Sequence, residues 1–150
     1  LKELKKQLHQ ACKEFVGKRI EAAQDAIRMA QQSANEDSKS SMGDKYETGR
    51  AMAQLEIEKN TRQLLEAQKM LQLLERLPMD TESDVARNGS LVMTDKGNYF
   101  LSISAGKLMV EGQSYFAIST SSPIGGKLVG LKKTDSIVFN GQTMTVIQIV

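Results

Sequence analysis

The chain has no tryptophan, one cysteine, one histidine and two prolines among its 150 residues. The single cysteine, Cys12, excludes an intramolecular disulfide and a cysteine-cluster zinc site. The single histidine, His9, leaves little for histidine-based metal binding or proton transfer. No apolar run approaches the roughly 20 residues of a membrane-spanning helix. No signal-peptide pattern is visible, so a cytoplasmic protein without membrane contact is expected. Glycine is scarce in one region only: between Lys18 and Asn88 it occurs at Gly43 and Gly49, and the one proline there is Pro78.

Net charge is +2, too small to suggest nucleic-acid binding by bulk electrostatics. Its distribution is more telling. Residues 1–34 carry +3, 35–47 carry −2, 48–77 carry +1 and 78–150 are neutral. The acidic excess (Glu36, Asp37, Asp44, Glu47) therefore sits in the middle of the glycine-poor stretch, at its one break.

Before Pro78 the composition is rich in Leu, Ala, Gln, Glu, Lys and Met, which are strong helix formers. Leu4, Leu8, Ala11, Phe15, Ala22 and Met29 follow spacings of three, four or seven, as do Ala53, Ile57, Leu64, Ala67, Leu71 and Leu74. Such narrow seams predict an antiparallel coiled-coil hairpin over 1–77 with an acidic tip at 35–47. Asn60 falls in the second seam, where a buried polar residue fixes register at some cost in stability.

After Pro78 the pattern changes. Five aromatics (Tyr99, Phe100, Tyr115, Phe116, Phe139) and most of the glycines lie there. Residues 78–88 read as a linker, and 89–150 as a small domain with strands at 90–94, 99–104, 107–110, 114–119, 136–139 and 143–150. Asn140-Gly141 is a strong hairpin signal because both residues tolerate positive φ. Ser122-Pro123 suits a helix start, with the serine as cap and proline in the first turn. One short helix on an antiparallel sheet gives an α+β domain.

Two stretches give these elements a likeness. Gly43-Asp44-Lys45-Tyr46-Glu47 matches a Gly-Asp-x-x-Glu tip. Ser121-Ser122-Pro123-Ile124-Gly125 with Leu128, Gly130, Lys132 and Asp135 is similar to a Ser-Pro-Ile…Leu-x-Gly-Lys…Gly-Asp segment. Both resemble the Gre family of bacterial transcript-cleavage factors, in the family's order of hairpin first and FKBP-like domain second. The tip departs from the usual family sequence: Lys45-Tyr46 and Thr48-Gly49-Arg50 replace the residues expected around the second acid, which marks a divergent member.

The resemblance implies a monomeric accessory factor of RNA polymerase, not an enzyme by itself. The globular domain would bind polymerase through Ser121, Ser122 and Pro123. The hairpin would enter the secondary channel, where Asp44 and Glu47 would help hold a magnesium ion shared with the polymerase, near the nascent RNA 3′ end. Cleavage of backtracked RNA would follow, with Glu36 and Asp37 as further tip acids.

Other readings of the same residues stay open. Asp44 and Glu47 have capping-box spacing. A channel-binding transcription regulator without cleavage stimulation would share this shape. So would a coiled-coil adaptor unconnected with transcription. A prolyl isomerase would need an aromatic-lined pocket, yet in the pairs Tyr99-Phe100 and Tyr115-Phe116 adjacent strand residues face opposite sides.

Overall fold

A computed structural model describes residues 1–37 and 43–150; the side chains of 37 and 43–46 lie outside the described residues. The fold is α+β: two long helices packed together, then a six-stranded sheet with one short helix. Helix α1 runs Lys2–Asp37 and α2 runs Gly43–Arg76. The chain forms two compact units: Val16–Leu71, and Leu1–Phe15 together with Gln72–Val150.

In the first unit the helices run antiparallel. Arg19, Ala22 and Ala23 of α1 border the same surface hollow as Asn60, Gln63 and Ala67 of α2. The α2 seam is the one its spacing predicts. Ala53, Asn60 and Ala67 are buried at seven-residue intervals, with Ile57, Leu64 and Leu71 half-buried between them. The α1 seam is shifted by one residue. Ala23 and Ala30 are buried, whereas the expected Ala22 is exposed and Met29 is 64% exposed. Small side chains on both helices let two backbones approach closely, and a methionine at the same level would hold them apart. Asn60 is only 6% exposed, and its Nδ2 donates to the Glu56 carbonyl (2.8 Å) and to Glu56 Oε1 (3.1 Å). Its amide hydrogens are thus satisfied within its own helix.

In the second unit the strands are β1 (Leu91–Thr94), β2 (Gly97–Ser102), β3 (Gly106–Val110), β4 (Gln113–Ser119), β5 (Ser136–Phe139) and β6 (Gln142–Ile149), with α3 (Pro123–Leu128) between β4 and β5. Their order in the sheet is β3-β4-β2-β1-β6-β5. All neighbours are antiparallel except β2 and β4, which pair in parallel with Tyr99 opposite Phe116. The expected all-antiparallel sheet is thus mixed. The β3–β4 hairpin folds back so that its second strand, not its first, lies beside β2. The Asn140-Gly141 turn is as expected, with φ of 51° and 76° joining β5 to β6.

One sheet face holds Val92, Leu101, Met144 and Val146, packed with Ala86 and with Leu128 of α3. Alternation along β1 and β2 puts Leu91, Phe100 and Ser102 on the other face, and all three are buried. There Cys12 Sγ of α1 meets Ser102 Oγ at 3.8 Å. Nearby, His9 Nε2 donates to the Leu74 carbonyl (2.6 Å) in the last turn of α2, an oxygen that also accepts from the Leu77 amide (3.4 Å). The base of the hairpin is therefore part of the sheet's own core. Residues 78–88 join it too: the Ala86 amide donates to the Leu131 carbonyl, and the Gly130 amide to that of Ala86 (both 2.8 Å).

Burial pushes the Cys12 thiol up from its ordinary value near 9 to about 11, partly offset by the Ser102 hydroxyl. The folded state thus holds a proton that the unfolded chain releases above pH 9. The resulting stability is complete below pH 9 and is lost between pH 9 and about 11. Urea titrations across that window should show a falling midpoint, with a shallower fall in Cys12→Ala. Equal slopes would refute the assignment.

Thr134 has φ of 78°, a left-handed conformation that a β-branched residue adopts only at a cost of about 1–2 kcal/mol. Its amide donates to the Val146 carbonyl at 2.9 Å, which holds the backbone there. Thr134→Asn should raise stability by about 1 kcal/mol, read as a rise of roughly 2–4 °C in melting temperature. An unchanged or lower melting temperature would show that Thr134 carries no strain.

Candidate functional site

The sequence places its candidate residues in two clusters. The first is the hairpin tip. Helix α1 ends at Asp37 and α2 begins at Gly43, so Glu36, Asp37, Asp44 and Glu47 all belong to the ends of helices. Five intervening residues hold those ends within about 22 Å of each other, the most that six backbone steps can span. Glu36 and Glu47 are exposed. The side chains of Asp37 and Asp44 lie outside the described residues. The backbone of Asp44 is in the first turn of α2, where negative charge is favoured by the helix dipole. Positions 44 and 47, three apart, fall on one helix face.

The local sequence explains why helix resumes there. From Glu47 to Arg76 the chain holds no proline and one glycine, and its seam repeats at alternating steps of four and three. From Val16 to Asp37, α1 rises roughly 33 Å at 1.5 Å per residue. Among the described residues, no three His, Cys, Asp or Glu side chains converge as a cation site.

The second cluster is Ser121-Ser122-Pro123. Ser122 is the cap of α3: its Oγ accepts from the Gly125 amide (3.1 Å) and donates to the Ser119 carbonyl (2.6 Å). Pro123 occupies the first turn, where its missing N–H costs nothing. Ser121 and Pro123 are exposed, and Ser122 is half-buried. The structural role expected of Ser122 is thus present, and its two flanking residues remain open to a partner. Ser122→Ala should cost about 1 kcal/mol of stability through loss of the cap. Ser121→Ala should cost almost none, and equal losses from both, measured by urea melts, would argue against the cap.

The sequence reading missed two features. Gly125 looked like a motif residue, but it sits where a side chain has no room. Lys5, which nothing in the sequence singles out, is 6% exposed. The aromatic pairs divide as alternation requires. Phe100 and Tyr115 are buried, whereas Tyr99 and Phe116 stack on the α3 side of the sheet with ring centres 5.9 Å apart. No helix among the described residues is long and apolar enough to cross a membrane. Comparison with known proteins returned no matching family model, no similar curated protein and no similar solved structure.

Proposed function

We propose that this protein is a Gre-like accessory factor of RNA polymerase, which carries tip carboxylates into the polymerase's secondary channel and stimulates cleavage of backtracked RNA. The observation that carries the reading is a separation of parts. Acidic residues end a slender antiparallel hairpin, while the Ser-Pro helix start belongs to the other compact unit. A factor of this kind needs no pocket of its own. It needs a rod narrow enough to enter and acids at its end.

The donor chemistry fits magnesium, which prefers oxygen ligands and is often held through one or two carboxylates. Asp44 and Glu47 would hold it, with Glu36 and Asp37 in reserve. A magnesium ion supplies positive charge to the oxygens of a phosphoryl displacement. The chain's own part is delivery: helical backbone fixes positions 44 and 47 on one face. Ser121 and Pro123, exposed at the start of α3, would contact the polymerase.

A second reading has its own observation. The residues around Glu47 are cationic, aromatic or small (Lys45, Tyr46, Thr48, Gly49, Arg50), a tip suited to occupying a channel without aiding chemistry. Such a factor would regulate transcription without cleavage. The test is to incubate the chain with core RNA polymerase, then with a stalled, backtracked complex. Co-elution with polymerase and a shortened RNA support the proposal. Co-elution without shortening favours the regulator, and failure to co-elute sinks both.

A further inference from the structure

The sheet ends in two edge strands, β3 and β5, and each belongs to a hairpin closed by a two-residue turn. Glu111-Gly112 has φ of 52° and 79°, and Asn140-Gly141 nearly repeats those values. In such a hairpin the residues flanking the turn exchange both backbone hydrogen bonds, and bonded pairs then alternate along the ladder. The register Val110↔Gln113 and Leu108↔Tyr115 therefore turns the backbone of Val110 and Leu108 toward β4, and that of Lys107 and Met109 outward. By the same rule Ser136 and Val138 face outward on β5. There the Val138 carbonyl accepts from Lys127 Nζ at 2.8 Å. On β3 the outward amides and carbonyls of Lys107 and Met109 have no hydrogen-bond partner among the described residues. One edge is obstructed by a lysine, and the other is open.

The side chains along the open edge define what fits it. Directly opposite residues share a sheet face, so Lys107, opposite Phe116, lies on the α3 side, and Met109 lies there with it. Met109 is 59% exposed and Phe116 38%. The Met109 thioether accepts from Ser114 Oγ at 3.3 Å. Lys107 is exposed and pairs with no carboxylate among the described residues. The edge is thus apolar at 109 and cationic at 107, over a backbone that another extended backbone would satisfy.

We propose that β3 accepts an extended peptide of a partner protein as an added antiparallel strand, with an apolar residue opposite Met109 and an acidic residue two positions later, opposite Lys107. Each of these pairs exchanges two main-chain hydrogen bonds, which supply affinity, and the side-chain row supplies selection. The acid meets Lys107 as a cross-strand ion pair, and the apolar residue covers Met109. The docking is independent of the polymerase reading, which uses the hairpin tip and the start of α3.

The test follows the backbone amides of the 150-residue chain by NMR while a capped Thr-Val-Thr-Glu-Thr peptide is added. Before addition, the Lys107 and Met109 amides should exchange with solvent roughly tenfold or more faster than those of Leu108 and Val110. The peptide should shift the Lys107 and Met109 signals saturably, with a dissociation constant on the order of 1 mM. Methylating the valine and glutamate amides of the peptide should abolish saturation. Exchanging its glutamate for lysine should weaken binding several-fold, and Lys107→Glu should reverse that preference. Met109→Pro should abolish binding while Leu108 and Val110 stay protected, because the lost N–H faces away from β4. A linear response, equal binding of the methylated peptide, indifference to the charge exchange, retained binding in Met109→Pro or slow exchange of the free Lys107 and Met109 amides would each overturn the proposal. Protection of those amides that grows with protein concentration alone would assign the edge to a second copy of the chain and overturn it as well.

Discussion

Replacing Gly125 by alanine should cost about 3 kcal/mol or more of folding stability, lowering the melting temperature by roughly 6–12 °C. An added Cβ would overlap the Ser119 carbonyl oxygen and come within 2.8 Å of Ser122 Oγ. The first is backbone, fixed at the end of β4, and cannot rotate away. The second is the cap of α3, already bonded on both sides. Relief would require the helix to move, yet Leu128 on that helix is fully buried in the core. Gly126 is the control. A Cβ there meets only the Thr120 carbonyl, at 3.6 Å. Gly126→Ala should therefore be neutral or stabilise by up to about 1 kcal/mol through helix propensity. Denaturant titrations of both variants decide the matter, and a loss below about 1 kcal/mol in Gly125→Ala would refute the close approach.

Asp44→Ala and Glu47→Ala, together, should abolish RNA cleavage stimulated by this protein while leaving its binding to polymerase intact. On the proposed function the acids act only where polymerase supplies the rest of the site, so their loss removes an interaction made at the reacting centre. Such losses commonly amount to about 10²–10³ in rate. Glu47 is exposed in the second turn of α2, so the Glu47 change should alter thermal stability by less than about 0.5 kcal/mol. Unchanged stimulation in the double variant would remove the metal role from Asp44 and Glu47. A parallel fall in polymerase binding would instead assign them to docking.

The candidate site was unevenly legible. The Ser122 cap could be read directly, because serine before proline satisfies a helix start through local chemistry alone. The tip acids could be placed at the ends of helices, since the break in the helical pattern bounds them. Lys5 could not be recognised. It stands in a run with Lys2 and Lys6, and only the packing of residues 78–87 beside α1 distinguishes the three. Gly125 was legible as a glycine but not as a close contact, because the obstructing Ser119 carbonyl is a backbone atom without any side-chain signature.

The sequence by itself determined the helical hairpin, the α2 seam, the short capped helix and the Asn140-Gly141 turn. Each depends on interactions within a few residues, and those leave a mark in local order. Tertiary structure alone decided the α1 seam, the parallel pairing of β2 with β4, and the inclusion of the hairpin base in the sheet's core. In α1, Ala22 and Met29 compete with Ala23 and Ala30 one position away, and hydrophobicity favours the methionine. Close approach to Ala53 and Ala67 favours alanine, and that preference exists only once two helices meet. The strands likewise encode which residues point inward, but not which neighbour they will find.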